Sequence, residues 1–517
     1  MPQQAERLQF IVIGATSSYP AISHRGSTAV LRVDNWDDFT YKTMYDVTIW
    51  VNGDSTELGA VKILEFGQRG GRPQIPDRFT QLGEEFCSLG QDIEYYEKLM
   101  KIPPHVRAAY LHALVDAAYE PVIEAGFRNE PGWTTSFLRF GQAVNALKDG
   151  RKLVRGENLS TDRLSFVFEW SSHDSTVELP FEFDATSDLP GRFHALIGYN
   201  GVGKTTLLAD LAMAARSGAR NGNGDYLLEP YSRILGSDRT FGAVIAVSYS
   251  AFDTFRTPEA IGRFEQDDNV KNSIFGYAYC GLRRRIGPIG DGAEVFELKS
   301  IGEIESEFSD ALEAAGRREG GGYLREAFEV LSREPSFGVA GVDLSNLGSG
   351  LNSQGAIGAF NTLSTGHKIV LNIVAQLAAH LRTRSLVLID EPETHLHPPL
   401  VASLLRSMQV LLKSHGSFAV IATHSPVVVQ ELPSQCVRMI ERFGNEVSLR
   451  EPEIETFAEN IGSITRHVFS LDNTATDYQG ILATMAKKFD TEHIDQMFAN
   501  GLSVQGRALV ENYRRRL

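Results

Sequence analysis

A glycine-rich stretch at residues 198–206 carries the clearest chemistry in this sequence. It reads G-Y-N-G-V-G-K-T-T and matches the spacing G-x-x-x-x-G-K-[ST] of a phosphate-binding loop. Its glycines let backbone N–H groups close around phosphate oxygens, Lys204 can reach the β- and γ-phosphates, and the Thr205 hydroxyl can hold Mg²⁺. The sequence therefore predicts a site for ATP and Mg²⁺. The expected ligand-binding residues of the loop are Gly198, Asn200, Gly201, Gly203, Lys204, Thr205 and Thr206.

Such a loop works between a strand and a helix, and the flanking residues predict both. Residues 193–197 are mostly apolar and are typical of a short buried strand. After the loop, Leu207, Leu208 and Leu211 have the spacing of an amphipathic helix, whose N-terminus would add the positive end of its dipole to the site. A glycine-rich turn that matches by chance is the alternative, and this context argues against it.

Two carboxylates, Asp390 and Glu391, follow the apolar run S-L-V-L-I at residues 385–389. In α/β proteins of this type, ligands bind at the carboxyl ends of the strands. Asp390 is therefore placed to hold Mg²⁺ through water, and Glu391 to polarise the water that attacks the γ-phosphate. The alternative is an acidic turn that caps the next helix. We prefer the catalytic interpretation because the phosphate loop requires a strand of this kind.

Strands and helices alternate through this part of the chain. Residues 241–248, 385–389 and 418–422 are continuous apolar runs, which are typical of strands buried on both faces. Helical stripes of apolar residues lie at 370–381 and 400–411. The alternation predicts an α/β fold with a mostly parallel sheet.

The regions outside this core have different patterns. Strands are expected at residues 8–13, 28–33, 45–51 and 57–66, helices at 81–127 and 134–147, and strands again at 162–183. The chain is accordingly divided into an N-terminal strand-rich and helical region (1–160), an ATPase core (161–451) with an insertion at about 254–360, and a C-terminal helical extension (452–517). The N-terminal strands could instead be part of a β subdomain of the core. Within the insertion, the glycine-rich residues 347–360 predict a mobile loop.

The composition is that of an ordinary globular protein of the cytoplasm. The chain has 517 residues, a net charge of −15 and three cysteines. The scattered cysteines indicate a reducing compartment and no cysteine-based metal site. The N-terminus lacks the pattern of a signal peptide, and no stretch is apolar enough for a membrane span. The negative charge argues against non-specific nucleic-acid binding over the whole surface, although a local basic patch remains open.

Residues 363–367, L-S-T-G-H, resemble the signature loop of ATP-binding-cassette (ABC) ATPases. The run D-E-P-E-T-H-L-H-P at 390–398 resembles the branch of that family with SMC, Rad50 and the overcoming-lysogenization-defect proteins. The resemblance implies an ABC-type P-loop ATPase head, with a mostly parallel sheet and an antiparallel β subdomain. It implies that Ser364 and Gly366 bind the γ-phosphate of ATP held by another protomer, and that His424 is the switch histidine that contacts this phosphate. A homodimer or higher homo-oligomer, with ATP sites at the protomer interfaces, would follow.

Two departures from the family pattern matter. His367 stands where the family usually has glutamine, and no glutamine directly follows the strand at 241–248. The segment 249–253 takes the place of the family's glutamine loop, and Gln266 lies too far along the chain, so that residue stays unassigned. By residue type alone, Ser364 is also a good helix N-cap, which is the plainer interpretation of the signature stretch.

The motifs that the sequence lacks shape the expected function. The residues after His424 contain no D-x-D pair of a Toprim nuclease, and the chain has no H-N-H cluster. The strand-rich start, F-C-S-L-G-Q at 86–91 and I-E-T-F at 454–457 resemble the stand-alone ATPases of Septu and retron-associated anti-phage systems. This resemblance implies a sensor or regulator of a bacterial defence complex that controls a separate effector, such as an HNH nuclease. The alternative is a Rad50- or RecF-like ATPase of DNA repair or DNA-end sensing, whereas a transporter ATPase and an autonomous nuclease or toxin fit the residues less well.

Overall fold

The protein is described by a computed structural model. The described residues are 8–22, 25–157, 159, 162–172, 175–216, 232–236, 240–258, 273–274, 276–286, 295–317, 321–340, 344, 358, 360–444, 446–469 and 477–515. The glycine-rich stretch 217–225, Gln266 and nearly all of the predicted loop at 347–360 lie outside them.

The N-terminal strands form a sheet of their own. They are β1 (Gln9–Ile13), β2 (Ser27–Val33), β3 (Met44–Val51), β4 (Asp54–Glu65), β5 (Arg78–Phe79) and β6 (Phe86–Gly90). Their order is β5-β1-β2-β3-β4-β6, with β1 and β2 parallel and the other neighbours antiparallel. Asn52 and Gly53 form the β3–β4 turn with left-handed φ angles of 53° and 97°, as their pairing predicts. The four strands expected before residue 67 are confirmed.

The expectation of helix from residue 81 onward is wrong at its start. Residues 86–90 form β6, which pairs with β4 and is buried at all five residues. A fully buried strand shows no polar alternation, so its period does not distinguish it from a buried helix. The expected helix at 134–147 is likewise divided into a π-helical turn, Trp133–Phe137, and a later α-helix. The helices of this region are α1 (Ile93–Met100), α2 (Pro104–Ala113), α3 (Pro121–Phe127) and α4 (Gly141–Val154).

Two further sheets follow along the chain. A small antiparallel sheet contains β7 (Arg163–Ser172), β8 (Ser175–Asp184) and β10 (Arg233–Leu235). The central sheet contains β9 (Phe193–Ile197), β11 (Val244–Ser248), β12 (Ser273–Ile274), β13 (Tyr277–Gly281), β16 (Leu386–Asp390), β17 (Phe418–Thr423), β18 (Val437–Phe443) and β19 (Glu446–Arg450). The strands β14 (Arg283–Ile286) and β15 (Val295–Leu298) form a separate hairpin.

The order of the central sheet is β12-β13-β11-β16-β17-β9-β18-β19. Its six inner strands are parallel, and the two edge strands pair antiparallel to their neighbours. The α/β fold with a mostly parallel sheet is therefore confirmed. The order also places β9 beside β17, and β17 beside β16, so the three strands that lead into the predicted site end at one edge.

The described helices of this part surround the sheet or follow it. They are α5 (Lys204–Arg216), α6 (Ile301–Arg317), α7 (Gly322–Leu331), α8 (Pro335–Val339), α9 (Thr365–His380), α10 (Pro398–Ser414), α11 (Pro426–Gln430), α12 (Ile461–His467), α13 (Asp477–Lys488), α14 (Thr491–Gln496) and α15 (Val504–Arg515). The last three share a small core of Leu482, Ala486, Ile494 and Val510. Over the described ranges, no helix is both long and apolar enough to cross a bilayer.

The segment 254–360 is more than the expected insertion on the core. β13 lies within it, is buried, and extends the parallel sheet beside β11. Its helices α6 and α7 share one hydrophobic core with α9 and α10. This five-residue strand of the core was not predicted from the sequence, because the residues around it are charged and glycine-rich. The domain borders proposed from the sequence otherwise stay predictions.

Candidate nucleotide-binding site

The phosphate loop begins where β9 ends, and α5 begins at Lys204. Gly201 and Gly203 have φ angles of 86° and 100°, which glycine adopts at little cost. Gly198 lies so close to β18 that an added Cβ would be 2.5 Å from the Ile440 carbonyl oxygen. Glycine is therefore required at 201 and 203 by the backbone conformation, and at 198 by the close approach of β18.

Lys204 and Thr205, the first residues of α5, face the rest of the site. The Lys204 side chain is buried, and its Nζ donates to the carbonyl oxygens of Gly198 at 2.8 Å and Tyr199 at 3.4 Å. Thr205 Oγ1 donates to Asp390 Oδ2 at 2.8 Å. This hydrogen bond joins two residues that are 185 positions apart in the sequence, and it connects the phosphate loop to the end of β16.

Asp390 is the last residue of β16 and is 3% exposed. Burial raises its pKa to about 6; the hydrogen bond from Thr205 opposes this rise, and the charge of Glu391 adds to it. Burial lowers the pKa of Lys204, and the nearby carboxylates of Glu391 and Asp390 oppose that shift. Asp390 Oδ1 is buried and has no hydrogen-bond partner among the described residues. A carboxylate oxygen without a hydrogen-bond partner, beside a threonine hydroxyl, suits a hard divalent cation.

Glu391 and His424 lie at the ends of the adjacent strands β16 and β17. The Glu391 backbone is left-handed, with φ of 47°, and its N–H donates to the Ala422 carbonyl oxygen at 2.9 Å. His424 Nδ1 is 3.3 Å from Glu391 Oε1. Non-glycine residues in this conformation cost energy and concentrate at functional sites. The structure thus brings the two predicted catalytic side chains into contact.

Glu393 is a site residue that sequence reasoning missed. Its Oε1 accepts hydrogen bonds from Thr423 Oγ1 at 2.6 Å and from the His424 backbone N–H at 2.9 Å. The available signal was the second glutamate in D-E-P-E, two residues after Glu391. Nothing in that spelling showed that its carboxylate reaches the neighbouring strand.

Ser364 and Gly366 lie at the start of α9, outside this hydrogen-bonded group. Ser364 is the N-cap of α9, and its Oγ is 2.7 Å from His367 Nδ1. His367 Nε2 is in turn 2.6 Å from Ser336 Oγ, so the departure from glutamine supplies a ring that holds the serine. A Cβ on Gly366 would be 3.2 Å from the His395 carbonyl oxygen, so α9 begins against the loop that follows β16.

The segment 249–253 contains a second residue that sequence reasoning missed. Asp253 is buried, accepts a hydrogen bond from Tyr279 Oη at 2.8 Å, and its charge helps to raise the pKa of Asp390. Tyr249 Oη accepts a hydrogen bond from Asn372 Nδ2 of α9 at 2.9 Å. The segment thus contacts α9 and lies near the end of β16, although it holds no glutamine.

A cleft of about 300 Å³ opens beside the phosphate loop. Asn200 and His424 both line it, whereas Thr206 is an exposed residue of the first turn of α5. Mostly apolar clefts with a few polar groups are the usual form of small-molecule sites. The other lining residues are Ile197, Gly198, Tyr199, Pro426, Met439, Ile440, Glu441, Thr465, Val468 and Phe469.

The comparison with known proteins bears on this arrangement. The chain is 32% identical over 543 residues to protein ea59 of Escherichia phage lambda, and the match covers 98% of each chain. The chain belongs to the ea59 family. Residues 220–430 match a family described as "AAA domain, putative AbiEii toxin, Type IV TA system". That range includes Ser364, Asp390, Glu391 and His424 but begins after the phosphate loop.

Solved structures give partial likenesses. The nucleotide-free ATP-binding cassette of an ABC transporter is 12% identical, covers 59% of this chain and 97% of its own, and has a TM-score of 0.31. The SMC head domain from Thermotoga maritima is 12% identical, covers 56% of this chain and 99% of its own, and has a TM-score of 0.27. From the family match and the phosphate-loop motif, the chain carries an AAA-type P-loop ATPase domain.

Proposed function

We propose that this chain binds ATP with Mg²⁺ and hydrolyses it at the site formed by α5, β16 and β17. The observation that carries the proposal is the hydrogen bond from Thr205 to Asp390, which connects the phosphate loop to a carboxylate with one open oxygen. Lys204 would leave or share its two carbonyl partners to bind the β- and γ-phosphates. Burial of its ammonium group strengthens such a contact.

The residues present fit a magnesium ion. Thr205 Oγ1 and Asp390 would hold it, directly or through water, and in the described residues no group of three histidine, cysteine or acidic side chains competes for a metal. Mg²⁺ is commonly held by one or two protein oxygens together with substrate phosphates. When bound, it would neutralise charge on the phosphate oxygens.

The protein's own groups would carry the proton transfer and the positioning. Glu391 would accept a proton from the attacking water, because its carboxylate follows Asp390 at the end of β16. His424 would contact the γ-phosphate from the neighbouring strand end. The 3.3 Å contact between the two side chains supports this division of roles, since a single water could meet both.

We further propose that two protomers share each site. Ser364 and Gly366 lie at the start of α9, and the Ser364 hydroxyl is bonded within its own turn to His367. Among the described contacts, none joins these residues to Lys204 or Thr205 of the same chain. A signature loop that serves the ATP of a partner accounts for this placement. The resulting homodimer, or higher homo-oligomer, would have two-fold related interfaces of phosphate loop against signature loop.

The biological role that we propose is a cytoplasmic ATP-dependent switch in anti-phage defence. ATP-driven closure of the dimer would control a separate effector, such as an HNH nuclease. The family description names a toxin of a toxin–antitoxin system, which supports an effector-linked role. Since protein ea59 belongs to a phage, a complex of this kind would act on competing phages.

Complementation between two inactive variants tests the shared site. Lys204→Ala should lose tight ATP binding, because a charge-assisted contact to the phosphates is lost. Ser364→Arg should block closure sterically. Each should be inactive alone, whereas differently tagged heterodimers should recover part of the ATPase activity. One of their sites pairs the intact loop of one chain with the intact Ser364 of the other.

The outcomes separate the parts of the proposal. Wild-type protein without ATPase activity would overturn the hydrolytic function. An active wild type with inactive purified heterodimers would overturn the shared site alone. Hydrolysis stimulated by DNA, without any nuclease partner, would instead favour the Rad50- or RecF-like alternative.

A further inference from the structure

Glu393 connects the loop after β16 to the end of β17. Its Oε1 accepts both the Thr423 hydroxyl at 2.6 Å and the His424 backbone N–H at 2.9 Å. Its side chain is 10% exposed, and its Oε2 is buried without a hydrogen-bond partner in the described part of the chain. An acceptor that takes two donors from one strand end fixes the position of that end, because moving either residue would break a buried hydrogen bond.

The His424 ring lies beside the carboxylates of Glu391 and Glu393. The ring is half-exposed, at 51%, so packing alone does not hold it. Its Nδ1 lies 3.3 Å from Glu391 Oε1 and 3.5 Å from Glu393 Oε1. Carboxylate oxygens accept hydrogen bonds, so we expect the ring hydrogen on Nδ1, the nitrogen that faces them. Nε2 is then the ring atom that remains for the nucleotide.

The backbone reinforces the same connection. Glu391 holds its left-handed conformation while its N–H donates to Ala422, at the end of β17. The loop of Glu391 and Glu393 is therefore hydrogen-bonded to three consecutive residues at the end of β17 and just after it, Ala422, Thr423 and His424. Such hydrogen bonds hold Glu391 in its strained backbone conformation.

We propose that Glu393 is a positioning residue for ATP hydrolysis, which holds His424 so that Nδ1 faces the carboxylates and Nε2 faces the γ-phosphate. This inference rests on the proposed function. Glu393 acts through His424 and Thr423 and need not touch the nucleotide. It would therefore affect kcat more than the affinity for ATP.

Three variants and one control test the inference. Glu393→Ala removes the acceptor and should lower kcat by about 10-fold or more while the Kd for ATP stays within about threefold of the wild-type value. Glu393→Gln keeps an oxygen for both donors and should recover most of the activity. Thr423→Val removes one of the two donors, and its kcat should lie between these limits. The control is Glu431→Ala, whose carboxylate lies 4.0 Å from Arg406, and it should match the wild type.

A second measurement reads the ring directly in the nucleotide-free protein. Spectra of selectively ¹⁵N-labelled histidine, with His424→Gln identifying the signal, should show hydrogen on Nδ1 in the wild type and a tautomer mixture in Glu393→Ala. If the wild type lacks ATPase activity, the proposed function fails, and the role in hydrolysis fails with it, whereas these spectra still decide whether Glu393 orients the His424 ring. If the wild type is active but Glu393→Ala has the same kcat and the same ring signal, the inference is overturned. A parallel loss of ATP affinity and folding stability in all three variants would mean a structural role and would also overturn it.

Discussion

Replacing Gly198 with alanine tests the contact between the phosphate loop and β18. A Cβ at this position would lie 2.5 Å from the Ile440 carbonyl oxygen and 3.1 Å from Val202 Cγ2. The Ile440 carbonyl cannot rotate away as a side chain would, because it belongs to the backbone of β18, where Ile440 pairs with Leu449 of β19. To reach the 3.4 Å of ordinary van der Waals contact, the loop and the strand must separate by about 0.9 Å.

Two costs follow from that displacement. Overpacking a well-packed site commonly costs about 1–3 kcal/mol of stability. The displaced residue also supplies the carbonyl oxygen that accepts from Lys204 Nζ at 2.8 Å, so the cation moves with the loop. A misplacement of about 1 Å can lower an enzymatic rate about 100-fold. We therefore expect Gly198→Ala to lower kcat/KM for ATP by about 100-fold and to destabilise the folded protein by about 1–3 kcal/mol.

Steady-state ATPase kinetics and denaturant unfolding measure the two effects. Gly302→Ala is the matched control, because a Cβ on Gly302 in α6 meets nothing within 4 Å. It should leave kinetics unchanged. If Gly198→Ala instead turns over ATP at the wild-type rate and unfolds at the same denaturant concentration, the phosphate loop cannot lie against β18 as described.

Two further substitutions address the chemistry and the N-terminal core. Glu391→Gln should bind ATP as the wild type does and lower kcat by about 100-fold or more, because an amide can hold a water molecule but cannot take its proton. The ATP-bound dimer should then accumulate in gel filtration, and turnover near the wild-type rate would show that Glu391 is not the base. Asp116 is buried and accepts hydrogen bonds from Tyr96 Oη and from the backbone N–H groups of Ala118 and Tyr119. Burial raises the pKa of Asp116 to about 7. Between about pH 4 and pH 7, the folded state therefore keeps a proton that the unfolded state loses, and the free energy of unfolding falls as the pH rises through this window. Asp116→Asn should therefore stabilise the protein at pH 8, on the order of 2–4 kcal/mol, and much less near pH 4; denaturant unfolding with no pH-dependent difference would contradict this.

The features that were predictable from sequence are those carried by contiguous residues. The phosphate loop lies between a five-residue apolar run and a leucine stripe, and the structure places β9 and α5 there. The apolar runs at residues 385–389 and 418–422 correspond to β16 and β17 in the same way. Because parallel strands end at one edge, the proximity of Asp390 and His424 to Lys204 also followed from the predicted sheet.

The features that sequence reasoning missed depend on contacts between distant segments. The sequence of β6 favours a helix because the strand is buried on both faces, so it lacks the alternation of polar and apolar residues that marks a half-exposed strand. β13 was hidden in a charged segment, and its place is set by pairing with β11. The role of Asp253 as a neighbour of Asp390 and that of Glu393 as a partner of Thr423 likewise arise from tertiary structure, and no local pattern encodes them.

The charges around Lys204 suggest why so many carboxylates meet at one strand end. Asp390 is the last residue of β16, Glu391 and Glu393 follow it, and each of the three raises the pKa of Lys204 against the effect of burial. They keep the ammonium charged, but together they would repel a polyanionic nucleotide. A divalent cation beside Asp390 Oδ1 would offset that repulsion. The hydrogen bonds of Glu393 with Thr423 and His424 would keep the remaining carboxylates close to His424. Under the proposed function, the same acidic cluster would favour the magnesium complex of ATP over the free nucleotide and would position Glu391 as the base.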